Sequence, residues 1–249
     1  MLSDYDGTLT PIVERPEMAE LPESTREILK NLVKEPRIRI GIISGRAMND
    51  LKEKVNIPGI IYASNHGLEI VNDDFNFKYP LEKEIQDTVE MLFKVLLNAF
   101  SEYQGVIVEN KGLTLSVHYR QADPNKINDI KKTFYRLVEN EKAIGKVKAT
   151  EGKAILEVRP AVEWDKGKAI QILINEFGKK GPSDRLLPLY LGDDFTDEDA
   201  FNQINNYNES ISIFVGENNY LTAAKYYLMS PIEVRDFMEI LLETVRRHS

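Results

Sequence analysis

Apolar and polar positions follow two rhythms along the chain. Over residues 22–35, Ile28, Leu29, Leu32 and Val33 recur at helical spacing with charges on the other face, which predicts an amphipathic helix. Residues 37–44 form a short Ile-rich run, the pattern of a strand buried on both faces. Residues 47–55 read as helix again and residues 60–63 as strand. Residues 1–3 are apolar and lead straight into Asp4. This order of strand, turn, helix and strand predicts an α/β fold with a parallel sheet of Rossmann type.

After Pro80 the rhythm changes. Residues 81–103 carry one long helical pattern. Residues 105–110 and 113–120 read as two strands joined at Lys111-Gly112. Asp123 as N-cap and Pro124 at the first helical position open a helix to about residue 140. Strands at 146–150 and 155–159 complete an inserted α+β module of about 80 residues. The α/β rhythm resumes at Trp164, with a helix at 166–177, a strand at 186–192, a helix at 196–205 and a strand at 210–215. In the second of these helices Thr196 is the expected N-cap and Asp199 falls at N3. Ser230-Pro231-Ile232-Glu233 reads as a capping box opening the last helix. The expected organisation is therefore a split core, residues 1–80 and 160–249, around an insertion at 81–159.

Composition narrows the chemistry. The 249 residues are 42% hydrophobic and 29% charged, which excludes a mostly disordered chain. Without Cys, disulfides, zinc-thiolate sites and Cys nucleophiles are excluded. Only His66, His118 and His248 are present, so a metal is expected to take oxygen ligands, the preference of Mg²⁺ or Ca²⁺. The net charge of −8 argues against a nucleic-acid or anionic-membrane partner. No apolar run approaches the ~18–20 residues of a membrane helix. A soluble, cytoplasmic protein is the expectation.

Four segments carry candidate chemistry. Asp4-Tyr5-Asp6-Gly7-Thr8 falls where the first strand ends, and ligands of open α/β sheets bind at the carboxyl ends of strands. Asp4 and Asp6 lie on one side of the chain if it stays extended, and a Mg²⁺ would relieve their repulsion. A solvated Asp-Gly turn is the plain alternative. Gly192-Asp193-Asp194 follows another strand, and Asp193 beside Asp4 would complete an oxygen-ligand site. Glu198 and Asp199 are expected to serve the following helix terminus electrostatically. Ser44-Gly45-Arg46 opens a helix, where a hydroxyl and free N–H groups suit an anion, although Ser44 serves equally as a simple N-cap. Lys166 stands at a helix N-terminus against the macrodipole and calls for an anionic partner. Together the segments point to phosphoryl transfer. Asp4 is the carboxylate nucleophile and Asp6 the acid/base. Ser44 and Lys166 hold phosphoryl oxygens, and Asp193 anchors the metal with Asp4 and Asp6.

These segments, in this order, resemble the four motifs of the haloacid dehalogenase superfamily of phosphatases, and the inserted module resembles that superfamily's substrate-selecting cap. Asn65-His66-Gly67-Leu68-Glu69, Glu109-Asn110-Lys111, His118-Tyr119-Arg120, Glu157-Val158-Arg159-Pro160, Trp164-Asp165-Lys166-Gly167 and Gly192 through Glu198 narrow the resemblance to the trehalose-6-phosphate phosphatase family. It implies Mg²⁺-dependent hydrolysis of trehalose 6-phosphate through an aspartyl-phosphate, with a cap that closes over the core. Glu109, Lys111 and Glu157 would grip the distal glucose, and Arg46, His66 and Gly67 would also face substrate. His118 and Arg120 share a strand face that is equally explained by solvation. A related sucrose-phosphate or mannosyl-phosphoglycerate phosphatase keeps the chemistry and changes the sugar. A non-catalytic sugar-phosphate sensor would not need both Asp4 and Asp6. The chain shows no synthase segment, so trehalose 6-phosphate is expected from a separate trehalose-6-phosphate synthase.

The family has five or six apolar residues before its first Asp, where this chain has Met1-Leu2-Ser3. A version carrying a longer apolar N-terminus is expected to melt at a higher temperature, because it adds ladder hydrogen bonds and core area beneath Asp4. Equal melting temperatures would refute this.

Overall fold

The computed structural model describes residues 1–179, 186–217 and 221–247, so His248 lies outside the described residues. The described residues divide into two compact units, Met1–Lys78 with Trp164–Ser249, and Tyr79–Glu163.

The first unit is built on one eight-stranded sheet. In chain order its elements begin with β1 (Leu2–Ser3), α1 (Glu23–Lys34), β2 (Gly41–Ile43), α2 (Met48–Val55), β3 (Ile61–Ser64), β4 (Glu69–Val71) and β5 (Asn76–Lys78). The second unit then supplies α3 (Lys83–Phe100), β6 (Ile107–Asn110), β7 (Leu115–His118), α4 (Ile127–Ala143), β8 (Val147–Gly152) and β9 (Ile155–Pro160). The first unit ends with α5 (Lys166–Lys179), β10 (Leu189–Gly192), α6 (Glu198–Asn205), β11 (Ile211–Val215), β12 (Tyr226–Leu228) and α7 (Pro231–Arg247). The large sheet has the order β12-β11-β10-β1-β2-β3-β4-β5. It is parallel from β12 to β3, and β4 and β5 extend it antiparallel.

Successive residues of each central strand feed opposite faces. Ile42, Tyr62, Leu191 and Ile213 join one core with Leu29 and Leu32 of α1, Leu51 of α2 and Met238 of α7. Their neighbours Ile43, Ala63, Tyr190 and Phe214 join a second core with Leu173 of α5 and Phe201 of α6. This double burial explains why the strands read as continuous apolar runs.

The second unit has its own antiparallel sheet, β6-β7-β9-β8. One face, with Leu115, Val117, Leu156 and Val158, packs on Leu92 and Leu96 of α3 and on Ile130 and Phe134 of α4. The sheet is therefore amphipathic, with one face covered by helices and the other polar.

Some local expectations are corrected. The expected strand at 37–44 contracts to Gly41–Ile43. The helix expected to start at Thr196 is preceded by a 3-10 turn, Phe195–Asp197, capped by Asp194, whose side chain accepts from Thr196 N while Asp197 reaches back. Glu198 stands in the first turn of α6, as expected, and has a second role. Its carboxylate accepts from Thr222 Oγ1 at 2.7 Å and Ala223 N at 2.8 Å, tying down the segment before β12. The short strands β4, β5 and β12 were not foreseen; β5 and β12 lie at the sheet's edges, and their exposed polar and aromatic residues give no apolar run. Among the described residues no helix is long and apolar enough to cross a membrane.

Phe134 is fully buried in the core of the second unit. Phe134→Ala is expected to destabilise that unit by about 3–5 kcal/mol through lost transfer energy and a residual cavity. Urea denaturation checks this, and a loss below about 1 kcal/mol would contradict that packing.

Candidate active site

Because β10, β1, β2 and β3 are parallel neighbours, the residues leaving their carboxyl ends gather at one edge of the sheet. These are Asp193, Asp4, Ser44 and the Asn65-His66 turn. Backbone bonds continue the ladder past the strands. Asp4 N donates to Leu191 O at 2.8 Å, Ser44 N to Ala63 O at 2.8 Å, and His66 N to Ser44 O at 2.9 Å.

Lys166, the first residue of α5, ties this edge together. Its Nζ donates to Asp4 Oδ1 at 2.7 Å and to Asp197 Oδ1 at 2.6 Å, and all three residues are buried. Asp197 is fully enclosed and also accepts from Tyr190 Oη and from the backbone N–H groups of Asp193 (3.1 Å) and Asp194 (3.0 Å). Asp197 thus fixes the loop that carries Asp193. Gly7, at φ +86°, lets the chain turn beneath that loop, since a Cβ there would lie 2.1 Å from Asp193 Oδ2.

The electrostatics follow from burial. Burial pushes the Asp4 carboxyl well above its ordinary range; Lys166 offsets this in part, and Asp197 and Asp193 add to it. Burial alone would depress the Lys166 ammonium, but Asp197 and Asp4 outweigh it and hold the amine charged. One carboxylate atom each from Asp4, Asp193 and Asp197 lies within 4.8 Å of the others. Three buried carboxylates thus gather beside the Lys166 ammonium. An all-oxygen donor set of this kind fits a hard divalent cation.

The carboxylate cluster shares Asp4 and Asp193 with the metal set expected from the sequence. Asp4 and Asp193 come together, but the third carboxylate is Asp197. Asp6 does not follow Asp4 in extended conformation, because the chain bends at Tyr5 and Asp6 bridges to Thr10. Its carboxylate instead receives Arg46 Nε at 2.7 Å and Nη2 at 2.6 Å. Arg46 is buried and also donates to Asp50 Oδ2 at 2.5 Å and Pro16 O at 2.9 Å. Ser44 Oγ is buried and accepts from Arg46 N at 3.2 Å.

His66 packs on the Ser44-Gly45-Arg46 turn, where a Cβ at Gly45 would lie 2.7 Å from its ring. Asn65 (φ 49°) and His66 (φ 59°) both adopt the left-handed conformation ahead of Gly67, a strained turn of the sort found at ligand sites. Trp164 Nε1 donates to His66 O at 3.2 Å. In the second unit, Lys111 Nζ lies 3.5 Å from Glu157 Oε1, and Glu109 Oε2 meets His118 Nε2 at 2.9 Å.

The profile of the trehalose-phosphatase family matches residues 2–231. The chain belongs to that family. Among trehalose-phosphatases it is 34% identical over 256 residues to a probable trehalose-phosphate phosphatase D of Arabidopsis thaliana, covering 98% of this chain and 67% of that one. The C-terminal domain of Candida albicans trehalose-6-phosphate phosphatase superposes with a TM-score of 0.81 at 28% identity, over 98% of this chain and 92% of that one. A haloacid dehalogenase-like hydrolase from Bacteroides thetaiotaomicron shares the fold, with a TM-score of 0.64 at 16% identity over 96% and 98% of the two chains.

Asp197 escaped sequence reasoning. Its signal was its spacing, four residues after Asp193, which acquires meaning only once the intervening 3-10 turn folds it back. Tyr190→Phe removes a donor from this buried carboxylate and is expected to cost about 1–3 kcal/mol of stability, read from denaturant midpoints at constant slope. An unchanged midpoint would mean that the phenol contributes nothing there.

Proposed function

We propose that this trehalose-phosphatase hydrolyses trehalose 6-phosphate to trehalose and inorganic phosphate through an aspartyl-phosphate on Asp4. The observation that carries this reading is the buried Lys166 bridging Asp4 and Asp197 beside Asp193 at the sheet's carboxyl edge.

A carboxylate oxygen of Asp4 attacks phosphorus as the bond to the sugar oxygen breaks. Asp6, once released from its two bonds with Arg46, gives a proton to the leaving alkoxide. Water then attacks the acyl phosphate, Asp6 takes its proton back, and phosphate leaves with Asp4 regenerated. Lys166 and the Ser44 hydroxyl stabilise charge on the equatorial oxygens. Mg²⁺ held by Asp4 and Asp193, with Asp197 in reach, would neutralise phosphate charge when bound. His66 and Gly67 shape the substrate side of the Ser44 turn. Glu109, Lys111 and Glu157 supply the charged hydrogen-bond partners that a neutral disaccharide requires for orientation.

Asp4→Asn is expected to abolish phosphate release from trehalose 6-phosphate while the circular dichroism spectrum stays unchanged; surviving turnover would exclude the aspartyl-phosphate. EDTA should silence the enzyme and Mg²⁺ restore it, whereas activity that persists in EDTA would remove the metal from the scheme. Assay against a panel of sugar phosphates, including sucrose 6-phosphate, tests the sugar. Comparable or faster turnover of another member would displace trehalose 6-phosphate as the substrate.

A further inference from the structure

The polar face of the second unit's sheet carries more ordered chemistry than the three residues assigned to the sugar. Register across its strands sets Glu109 opposite Ser116, Ser116 opposite Glu157, and Glu157 opposite Thr150. With a side-chain period of two, Lys111, His118 and Arg159 lie on this same face. The alternate residues Val117, Leu156 and Val158 point into the helix-packed core.

Both carboxylates on this face are held by nitrogen or hydroxyl donors. His118 Nε2 donates to Glu109 Oε2 at 2.9 Å. Arg159 donates to Glu157 Oε2 through Nε at 3.0 Å and also through Nη2. Ser116 Oγ donates to the other oxygen, Oε1, at 3.4 Å, and Lys111 Nζ lies 3.5 Å from it. Glu157 and Lys111 are buried. Thr150 Oγ1, in the same row, is buried without a hydrogen-bond partner among the described residues. A carboxylate offers about four lone-pair directions, and on Glu157 the longer contacts from Ser116 and Lys111 are the ones an incoming hydroxyl would replace.

We propose that His118 and Arg159 are positioning residues that set the substrate specificity of this face, locking Glu109 and Glu157 into orientations that accept sugar hydroxyls. This rests on the trehalose 6-phosphate reading above. The physical reason is pre-organisation. A long Glu side chain must be ordered before it can recognise a hydroxyl, and ordering it in advance removes that entropy from the binding step. Solvated ion pairs with no ligand role would contribute little and would not distinguish one phosphate ester from another. Arg120, two residues past His118 on the same alternation, turns its Nη2 to Lys153 O at 2.7 Å and leaves the network.

Steady-state kinetics on trehalose 6-phosphate and on p-nitrophenyl phosphate test this in the full chain. His118→Gln and Arg159→Gln should each raise KM for trehalose 6-phosphate about tenfold, with kcat changed less than about twofold. The ratio of kcat/KM for trehalose 6-phosphate to that for p-nitrophenyl phosphate should fall about tenfold with it. Arg159→Lys, which keeps the charge but not the double donor, should fall between wild type and Arg159→Gln. Arg120→Gln is the control and should leave both substrates unaffected. Unchanged KM in both Gln variants, with wild type turning over trehalose 6-phosphate, overturns the positioning role alone. An equal loss on both substrates with a lowered melting temperature also overturns it, since a purely structural role behaves so. Wild type that hydrolyses p-nitrophenyl phosphate but not trehalose 6-phosphate overturns the substrate reading and this proposal with it.

Discussion

Lys166 cannot sit where it does without Asp4 and Asp197, and much of the first unit is arranged to hold that triad. Withdrawing an ion from water costs several kcal/mol even after the protein relaxes. The chain offsets this with short, well-directed bonds at 2.7 and 2.6 Å and with further donors onto Asp197 from Tyr190 and two backbone amides. Each partner comes from a different element: Asp4 from the end of β1, Lys166 from the start of α5, and Asp197 from the turn before α6. The parallel sheet earns its place by bringing these ends to one edge, with the two cores on its faces fixing the helices that carry the rest.

The triad also shapes the electrostatics of the site. Burial pushes the Asp4 carboxyl well above its usual range; Lys166 offsets this in part, and Asp197 and Asp193 add to it. Asp6 escapes this crowding by turning to Arg46. Two carboxylates two residues apart therefore occupy distinct environments.

Most of the architecture was legible because buried strands and amphipathic helices write strong periods into the sequence. Asp4, Ser44, Lys166 and Asp193 were legible for a related reason: each follows a strand or opens a helix, where the parallel topology concentrates ligands. What escaped depended on how short segments bend. Asp4 and Asp6 share a side only if the chain stays extended, and it bends at Tyr5. Thr196 looked like a cap, but the 3-10 turn moved that role to Asp194 and freed Asp197 to face inward. Strands of three residues such as Asn76–Lys78 carry too few positions to show a period. The shared face of His118 was visible as alternation, but its meeting with Glu109 needed the register between β6 and β7, which no local pattern encodes.

The two units solve opposite electrostatic problems. At the sheet edge of the first, three buried carboxylates gather, a donor set that suits a divalent cation. On the polar face of the second, Glu157 is paired with Lys111 and Arg159, and Glu109 accepts from His118, so charge is ordered rather than accumulated. A neutral polyol gains nothing from net charge but much from fixed, ionised acceptors and donors, because charge-assisted hydrogen bonds are roughly twice as strong as neutral ones. The net charge of −8 is therefore no guide to the ligand. The charge that matters is local, gathered as carboxylates at the sheet edge of one unit and paired on the polar face of the other.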